Sequence, residues 1–454
     1  MDLKIAIIGA GEVGYNLAQT LSKENYDITV VDINPEKCRR ISNSIDAKVF
    51  EGDGASQRIL AQIEMDEIDI LLCLTRIDEV NLVASRIGKK MGAKRVVCRL
   101  RNTEYRHKNA VITPEQFGID MVTYPEMAAQ KEIEMLIRQP SSVEIQEFHD
   151  SKIVMVGIKL EPSSPLIGRT AHNIELSNPF IPHKLVTIIR SDHSFIPHKY
   201  TKYKKDDIVF FSGKKRDISK IQQMVGKPAI NVENIIIFGA GKIGRLLAKS
   251  LQTDYNVRLV DINGEKAKPI STKLSETLIL VGSATDLEFL ETENVDQMDV
   301  AISVTENEQT NIMCGLLCKH LGVKQVITHI VTTSHLHAVR RLGIDAIVSK
   351  NISAVNEVIK FIRSGSSIFV SRFEDIDIES IELTVGSNCK YVRRKYSIEK
   401  IPEDIALGAI IKQDHTIEIP NRHSSIKAND RLLIFTKPAL VKKNRRPVFL
   451  KYAF

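Results

Sequence analysis

The sequence repeats itself, and no other feature limits the fold as strongly. Ile5-Ala6-Ile7-Ile8-Gly9-Ala10-Gly11-Glu12-Val13-Gly14 returns as Ile235-Ile236-Ile237-Phe238-Gly239-Ala240-Gly241-Lys242-Ile243-Gly244, an offset of 230 residues. Val30-Val31-Asp32-Ile33-Asn34 returns as Leu259-Val260-Asp261-Ile262-Asn263, and Thr75 and Asn81 return as Thr305 and Asn311. The echo continues beyond these runs: Ile189-Arg190-Ser191-Asp192, Ile196-Pro197 and Asp206-Asp207 are answered by Ile411-Lys412-Gln413-Asp414, Ile419-Pro420 and Asn429-Asp430. A chain built this way has to fold as a tandem of one two-part unit.

The first part of each unit alternates short β-rich runs with longer segments of helical spacing. In the first unit the runs are Ile5–Ile8, Ile28–Val31, Ala47–Phe50, Ile68–Leu74, Arg95–Cys98 and Asp120–Thr123, with Asn81–Met91 helical between them. That alternation predicts βαβ units on a parallel sheet. The second part, from near Val143 and near Ile368, has short strands broken by Pro, Gly and Asp. The expected class is therefore α/β: two Rossmann-like, doubly wound parallel-sheet domains (1–125 and 232–350), each followed by a small α+β lobe (143–228 and 367–454). Linking helices join the parts at 126–142 and 351–366. Each has an apolar stripe (Ala129, Ile133, Leu136 and Ile137; Val355, Ile359 and Ile362), and Pro140 and Gly365 stop them. Periodicity says that these stripes are buried. It does not say whether each helix covers its own sheet or is exchanged with a neighbouring domain.

Composition excludes several classes. At about 150 residues per domain, 454 residues make roughly three units or two larger ones. The chain is 43% hydrophobic and 26% charged, which fits a globular protein. No apolar run reaches the ~18 residues of a membrane span, and Met1-Asp2-Leu3-Lys4 leads straight into a strand, so no signal peptide is expected. A net charge of +7 is too diffuse for a nucleic-acid-binding face, and no nucleic-acid partner is expected. The Lys442-Lys443-Asn444-Arg445-Arg446 cluster reads as a solvated end. Cys73 and Cys98 lie in apolar runs and should be buried; Cys314 and Cys318, one turn apart, lack a second pair with zinc spacing, so no metal site is expected. His172, His183, His193 and His198 read as surface histidines.

Each glycine run follows a strand, opens a helix and is followed by an acidic residue ending the next strand, the context in which Gly-x-Gly-x-x-Gly marks a dinucleotide site. Gly9 and Gly239 make the tight turn. Gly11 and Gly241 let backbone approach a pyrophosphate, and Gly14 and Gly244 let helix and strand pack closely. The intervening Ala10, Glu12, Val13, Ala240, Lys242 and Ile243 line the same turns, whose free N–H groups point at an anion. A helix tip contributes about 0.3–2 kcal/mol, whereas micromolar binding needs about 8 kcal/mol. The tip therefore positions the ligand and other contacts hold it. Asp32 and Asp261 are placed for ribose hydroxyls and would repel a 2′-phosphate, which favours NAD and adenine nucleotides over NADP. Asp53 would face the adenine side. Thr75, Arg76, Thr305 and Glu306 end the fourth strands near the point where strand order reverses. Arg99 reads as a phosphate clamp, with Arg101 an equal balance of clamp and surface residue.

The two sites are not equivalent. Asp53, Arg99 and Arg101 are matched by Ser283, His329 and Val331, so the second loses a carboxylate and two cations. Lys242 stands where the first has Glu12, with Arg245 nearby. The expectation is NAD(H) at the first site, and weaker binding or a more anionic nucleotide at the second.

No catalytic pair, nucleophile elbow or metal box accompanies these turns. One alternative is an NAD-dependent oxidoreductase. Another is a module whose ligand, a cyclic dinucleotide or a cation, sits in the small lobes along Val186–Arg190 and Ala409–Lys412. The order Gly9-Ala10-Gly11-Glu12-Val13-Gly14, Asp32, Thr75, Asn81, Arg99-Leu100-Arg101, a linking helix, and a lobe with Pro165-Leu166-Ile167-Gly168 and Asp206-Asp207, repeated in full and closing on Arg446-Pro447-Val448-Phe449-Leu450, resembles the TrkA family of Trk potassium-uptake systems. In that family two regulator-of-potassium-conductance units lie on one polypeptide. The resemblance implies a non-enzymatic cytoplasmic subunit, peripheral on the inner face of the membrane. It implies a homotetrameric ring beneath a membrane potassium-translocating subunit, with NAD(H), and ATP or ADP as further candidates, gating transport. It carries nucleotide contacts to Gly9–Val13, Asp32, Thr75, Arg76 and Arg99, and to Gly239–Ile243, Asp261, Thr305 and Glu306.

Overall fold

The computed structural model describes residues 3–23, 26–107, 109–191, 193–227, 230–265, 270, 274–363, 368–373, 376–393 and 398–437. Gly365, the 442–446 basic cluster and the 446–450 ending lie outside the described residues. Strands β1 (Lys4–Ile8), β2 (Asp27–Asp32), β3 (Lys48–Glu51), β4 (Ile70–Cys73), β5 (Arg95–Arg99) and β6 (Met121–Thr123) form one parallel sheet in the order β3-β2-β1-β4-β5-β6. Helices α1 (Glu12–Ser22), α2 (Pro35–Ser44), α3 (Gln57–Gln62) and α4 (Asp78–Met91) connect them, and α5 (Pro125–Arg138) follows. The order reverses between β1 and β4, the crevice where doubly wound sheets hold ligands. Central strands such as Ile5–Ile8 are apolar at every position because helices cover both faces.

The first lobe is an antiparallel sheet of β7 (Glu144–Phe148), β8 (Ile153–Lys159), β9 (His183–Arg190), β10 (His193–Phe195) and β11 (Ile208–Lys214), ordered β10-β9-β11-β8-β7, with α6 (Ala171–Ser177) and α7 (Ile218–Val225). The second unit rebuilds the same plan. Its parallel sheet comprises β12 (Asn234–Phe238), β13 (Asn256–Asp261), β14 (Thr277–Val281), β15 (Val300–Ser303), β16 (Gln325–His329) and β17 (Ala346–Val348), ordered β14-β13-β12-β15-β16-β17. Even the register repeats: Ile5 pairs with Ile70, and Ile235 with Val300. Its helices are α8 (Lys242–Leu251), α9 (Leu287–Thr292), α10 (Glu308–His320), α11 (Leu336–Arg341) and α12 (Lys350–Arg363). The second lobe contains β18 (Ile368–Phe373), β19 (Ile376–Thr384), β20 (Ile405–Ile411), β21 (Ile417–Glu418) and β22 (Arg431–Thr436), with α13 (Lys390–Arg393). The α/β class read from the sequence holds.

The linking helices are exchanged. Ala129, Ile133, Leu136 and Ile137 of α5 pack with Ile235, Ile237, Ile243 and Leu247, the core of the other unit's sheet. Reciprocally, Ala354, Val355, Val358, Ile359 and Ile362 of α12 pack with Ile5, Ile7, Val13 and Leu17. Burying three Leu or Ile side chains on one such helix is worth roughly 5–9 kcal/mol before entropy, several times any single hydrogen bond across the joint. Hydrophobic cover therefore decides where each helix lies. The two lobes also meet face to face. Phe148, Ile153, Met155, Val186 and Phe210 interleave with Ala406, Ala409, Ile411, Leu433 and Phe435, with the Phe148 and Phe435 rings edge-on at 5.8 Å. Val186, Ile188, Ala409, Ile410 and Ile411 are thus core residues, and Arg190 is held by Asp207 at 2.7 Å, so these segments form packing and not a ligand pocket. The six cysteines are free and buried. His183 departs from its expected place at the surface: it is buried beside Phe211, with Nδ1 2.7 Å from the Ile181 carbonyl, and burial lowers its pKa.

Candidate functional site: two glycine cradles

The turns after β1 and β12 have the same geometry. Gly9 has φ +104° and Gly239 has φ +110°, and a Cβ on either would lie within 3 Å of the Thr75 or Thr305 backbone. On Gly14 or Gly244 a Cβ would fall 1.9 Å from the carbonyl oxygen of Gly9 or Gly239. Gly11 and Gly241 are different: a Cβ there meets nothing within 4 Å. Two of the glycines in each turn serve the fold, and the third faces open space at a helix N-terminus. Val13 and Ile243 are buried behind the turns, and Ala10 and Ala240 are buried within them.

Asp32 and Asp261 organise these turns. Asp32 accepts from Ala10 N (2.6 Å) and Asn34 N (2.8 Å), and Asp261 from Ala240 N (2.8 Å) and Asn263 N (2.9 Å). Each carboxylate oxygen keeps a lone pair for a ligand hydroxyl. Asp53 is exposed and accepts from Ala55 N at 2.9 Å; Ser283 does the same for Thr285 N at 3.3 Å, so both shape the turn after the third strand.

The sequence shows Asn81 and Asn311 as echoes without showing what they do. Asn81 Oδ1 accepts from Thr75 N (2.9 Å) and Thr75 Oγ1 (2.7 Å), and its Nδ2 donates to the carbonyls of Thr75 (3.0 Å) and Arg99 (2.8 Å). Asn311 repeats this with Thr305 and His329. One amide thereby fixes the ends of two adjacent strands at the rim of the crevice. Its detectable signal was an Asn six residues after a strand-ending Thr in both halves.

The cations gather at the first cradle. Arg99 is half-buried with Nε unpartnered, and its pKa is lowered by burial first, with Arg101 and Arg76 adding repulsion against the attraction of Glu126 and Asp78. Arg76 and Arg101 are exposed. Lys242, expected to serve its own turn, instead donates its ammonium to the backbone carbonyl of Arg101 in the first unit. Burial lowers its pKa. Arg245 donates to the Ala240 carbonyl at 3.0 Å and is likewise committed. Glu12 faces Arg40 at 3.4 Å. At the second cradle, His329 is 3% exposed with both ring nitrogens unpartnered. Burial, aided by Lys350, pushes its pKa down to about 4, so it is neutral near pH 7. Nearby Glu308 accepts from Val331 N, Thr332 N and His335 Nδ1. Burial alone would raise its pKa, but these hydrogen bonds outweigh that and lower it. Glu306 is exposed. The expectation that the Lys242 ammonium serves the second turn is not met, because its side chain reaches the Arg101 carbonyl of the first unit.

A family model described as the TrkA-N domain matches twice, over residues 5–125 and 235–350. The chain belongs to the TrkA family. The Trk system potassium uptake protein TrkA of Vibrio alginolyticus is 30% identical over 438 residues, 95% of each chain. TrkA homolog 2 of Methanosarcina mazei is 31% identical over 449 residues, 97% of this chain and 98% of the relative. Among solved structures, the GsuK channel bound to NAD superposes with a TM-score of 0.59 at 15% identity, covering 97% of this chain and 77% of that one. At that identity the likeness is one of fold. Both TrkA-N segments end at the start of a linking helix, so the exchange of α5 and α12 joins one TrkA-N domain to the other. Among the described residues no helix is long and apolar enough to cross a membrane.

Proposed function

We propose that this chain is the nucleotide-binding regulatory subunit of a Trk-type potassium-uptake system, acting from the cytoplasmic face on a membrane potassium-translocating subunit. One observation carries the reading: two open glycine cradles, in a TrkA-family chain, are tied together by reciprocally exchanged helices. A ligand that alters one cradle thereby acts on the helix covering the other sheet. The family relationship supports regulation and not catalysis.

The proposed contacts are Gly9–Gly14, Asp32, Asp53, Thr75, Arg76 and Arg99 at the first site. At the second they are Gly239–Gly244, Asp261, Thr305 and Glu306. Arg76, Arg99 and Arg101, with the Lys242 ammonium close by, make the first cradle the stronger site for a diphosphate. NAD(H) is its ligand, and ADP or ATP competes there. Neutral His329 and Val331 leave the second cradle with weaker phosphate binding. Occupancy shifts gating only by differential affinity for two ring states, about 1.4 kcal/mol per site for each tenfold preference. A homotetrameric ring would multiply that bias. Native mass spectrometry of freshly purified protein tests the reading: a tetramer retaining adenine dinucleotide supports it, and a protein that takes up no NADH, ADP or ATP at millimolar concentration refutes it.

A further inference from the structure

The two linking helices align end to end, Pro125–Arg138 on Lys350–Arg363, at an offset of 225 residues. At that offset Glu132 and Glu357 are counterparts, as are Lys131 and Asn356, and Tyr124 and Ser349. Two cavities built from these matched positions flank the helix crossing. One, of about 430 Å³, lies against β6 and is lined by Tyr124 among others. The other, of about 350 Å³, lies against β17 and the first lobe's β7, and its lining includes Ser349, Asn356 and Glu132. Lys131 and Glu357 stand between the two and line both.

Comparison of the halves shows what the second cavity lacks. Glu357 has an ammonium, that of Lys131 at 3.6 Å, and accepts from the Thr123 hydroxyl at 2.7 Å. Glu132 accepts from the Ser353 hydroxyl at 2.6 Å, but Asn356 stands where the other carboxylate finds its lysine, and Val348 where it finds its threonine. Glu132 forms no ion pair among the described residues. Arg340 of α11 attracts it from farther off and lies 3.9 Å from Glu144. Glu147 is held by Lys215 at 2.8 Å, and Lys360 is exposed.

A second observation is independent of that carboxylate. Ser349, which replaces the much larger Tyr124, is 3% exposed and lines the cavity, and its Oγ has no hydrogen-bond partner. Gln146 Oε1, from β7, is likewise buried and unpartnered. Buried polar atoms are ordinarily paired, so this cavity offers acceptors to a donor that the described residues do not supply.

We propose that the cavity is a binding site for a small primary alkylammonium compound. An ammonium has three N–H donors and no acceptor, and the Glu132 carboxylate, Ser349 Oγ and Gln146 Oε1 are three acceptors on the cavity wall. Met135, Leu136, Ile145, Leu336 and Ile352 supply apolar wall for the alkyl part. A mostly apolar lining with a few polar groups is how proteins hold small molecules. Since α5, α12 and β7 all contribute, the ligand would touch both linking helices and the first lobe at once. Its consequence for transport rests on the regulatory reading above; the site itself does not.

Calorimetric titration of the full chain with n-butylammonium, without nucleotide or membrane partner, tests the site separately from that reading. Burial pushes the Glu132 pKa up to about 7. The titration is therefore run at pH 8, where the carboxylate is ionised and an alkylamine, with a pKa of about 10, keeps its proton. Saturable binding at one site per chain is expected at millimolar concentration or below. Glu132→Gln should weaken it by about tenfold or more, and uncharged n-butanol should bind the wild type as weakly. Asn356→Lys writes the first half's lysine into the second and should abolish binding by supplying its own ammonium. The proposal is overturned if the wild type shows no saturable binding, or if Glu132→Gln or Asn356→Lys binds as tightly as the wild type. A response to n-butanol or potassium chloride equal to that of n-butylammonium would overturn it too.

Discussion

Arg95, on the fifth strand of the first sheet, stands over the ring of Phe361 at 4.0 Å and donates a 2.6 Å hydrogen bond to the Phe361 carbonyl. The two residues are 266 positions apart, and the contact fastens the last turns of the second unit's linking helix to the first unit's sheet. A cation over a ring is worth about 0.5–2 kcal/mol, and a charged hydrogen bond about 1.5–3 kcal/mol. Arg95→Ala is therefore expected to destabilise the chain by roughly 2–4 kcal/mol, read as a lowered midpoint in urea. Arg95→Lys should recover only part of this, since a lysine lacks the planar fork. An unchanged midpoint for Arg95→Ala would mean that the joint does not rest on this residue.

Exchange of the helices makes the halves interdependent. A polypeptide ending near residue 230 would expose Ala129, Ile133, Leu136 and Ile137 and leave its own sheet without cover. Residues 1–230 and 231–454 expressed apart should aggregate or self-pair, and expressed together they should co-purify as a complex. Two independently soluble, monomeric halves would contradict the exchange.

The glycines separate fold from binding. Gly14→Ala forces a methyl into the Gly9 carbonyl and should cost about 1–3 kcal/mol of stability. Gly11→Ala meets open space at φ −70° and should leave thermal stability unchanged. It should nevertheless weaken nucleotide binding by about tenfold or more, equivalent to 1.4 kcal/mol, because the methyl would occupy the place proposed for a pyrophosphate. Calorimetric titration with NADH alongside thermal melting distinguishes the two. Equal losses of stability in both variants would show that Gly11 is structural.

His329 gives a pH dependence of known sign. Its pKa in the folded chain is about 4, below the ordinary 6.5, so between these values the unfolded chain binds a proton that the native chain excludes. Stability from this group is full above pH 6.5 and is lost as pH falls toward 4. His329→Gln should flatten the unfolding midpoint over that window relative to wild type. An identical slope would place His329 in a more polar setting than its burial indicates.

The sheet domains were legible because their signals are local. Ile5–Ile8 and Ile235–Phe238 are apolar runs bounded by glycine turns, and each falls within a strand one residue longer. The linking helices were legible only in part. A stripe at Ala129, Ile133, Leu136 and Ile137 shows that a face is buried but contains no information about the surface that buries it, which lies over 100 residues away. Lys242 failed for the same reason. Its position in the glycine turn implied service to its own cradle, yet a four-carbon stem reaches the Arg101 carbonyl of the other unit. Asn81 was visible as a repeated residue, while its role depends on two strand ends brought together in three dimensions.

The central claim is that nucleotide occupancy of the cradles regulates potassium flux, and reconstitution with the membrane potassium-translocating subunit in vesicles measures it directly. Potassium uptake would be recorded with no nucleotide, with NADH and with ATP, for the wild type and for Gly11→Ala. The expected result is a flux that changes with nucleotide in the wild type and not in the variant. Flux indifferent to both nucleotides in the wild type, from protein shown to be bound to the membrane subunit, would contradict the account.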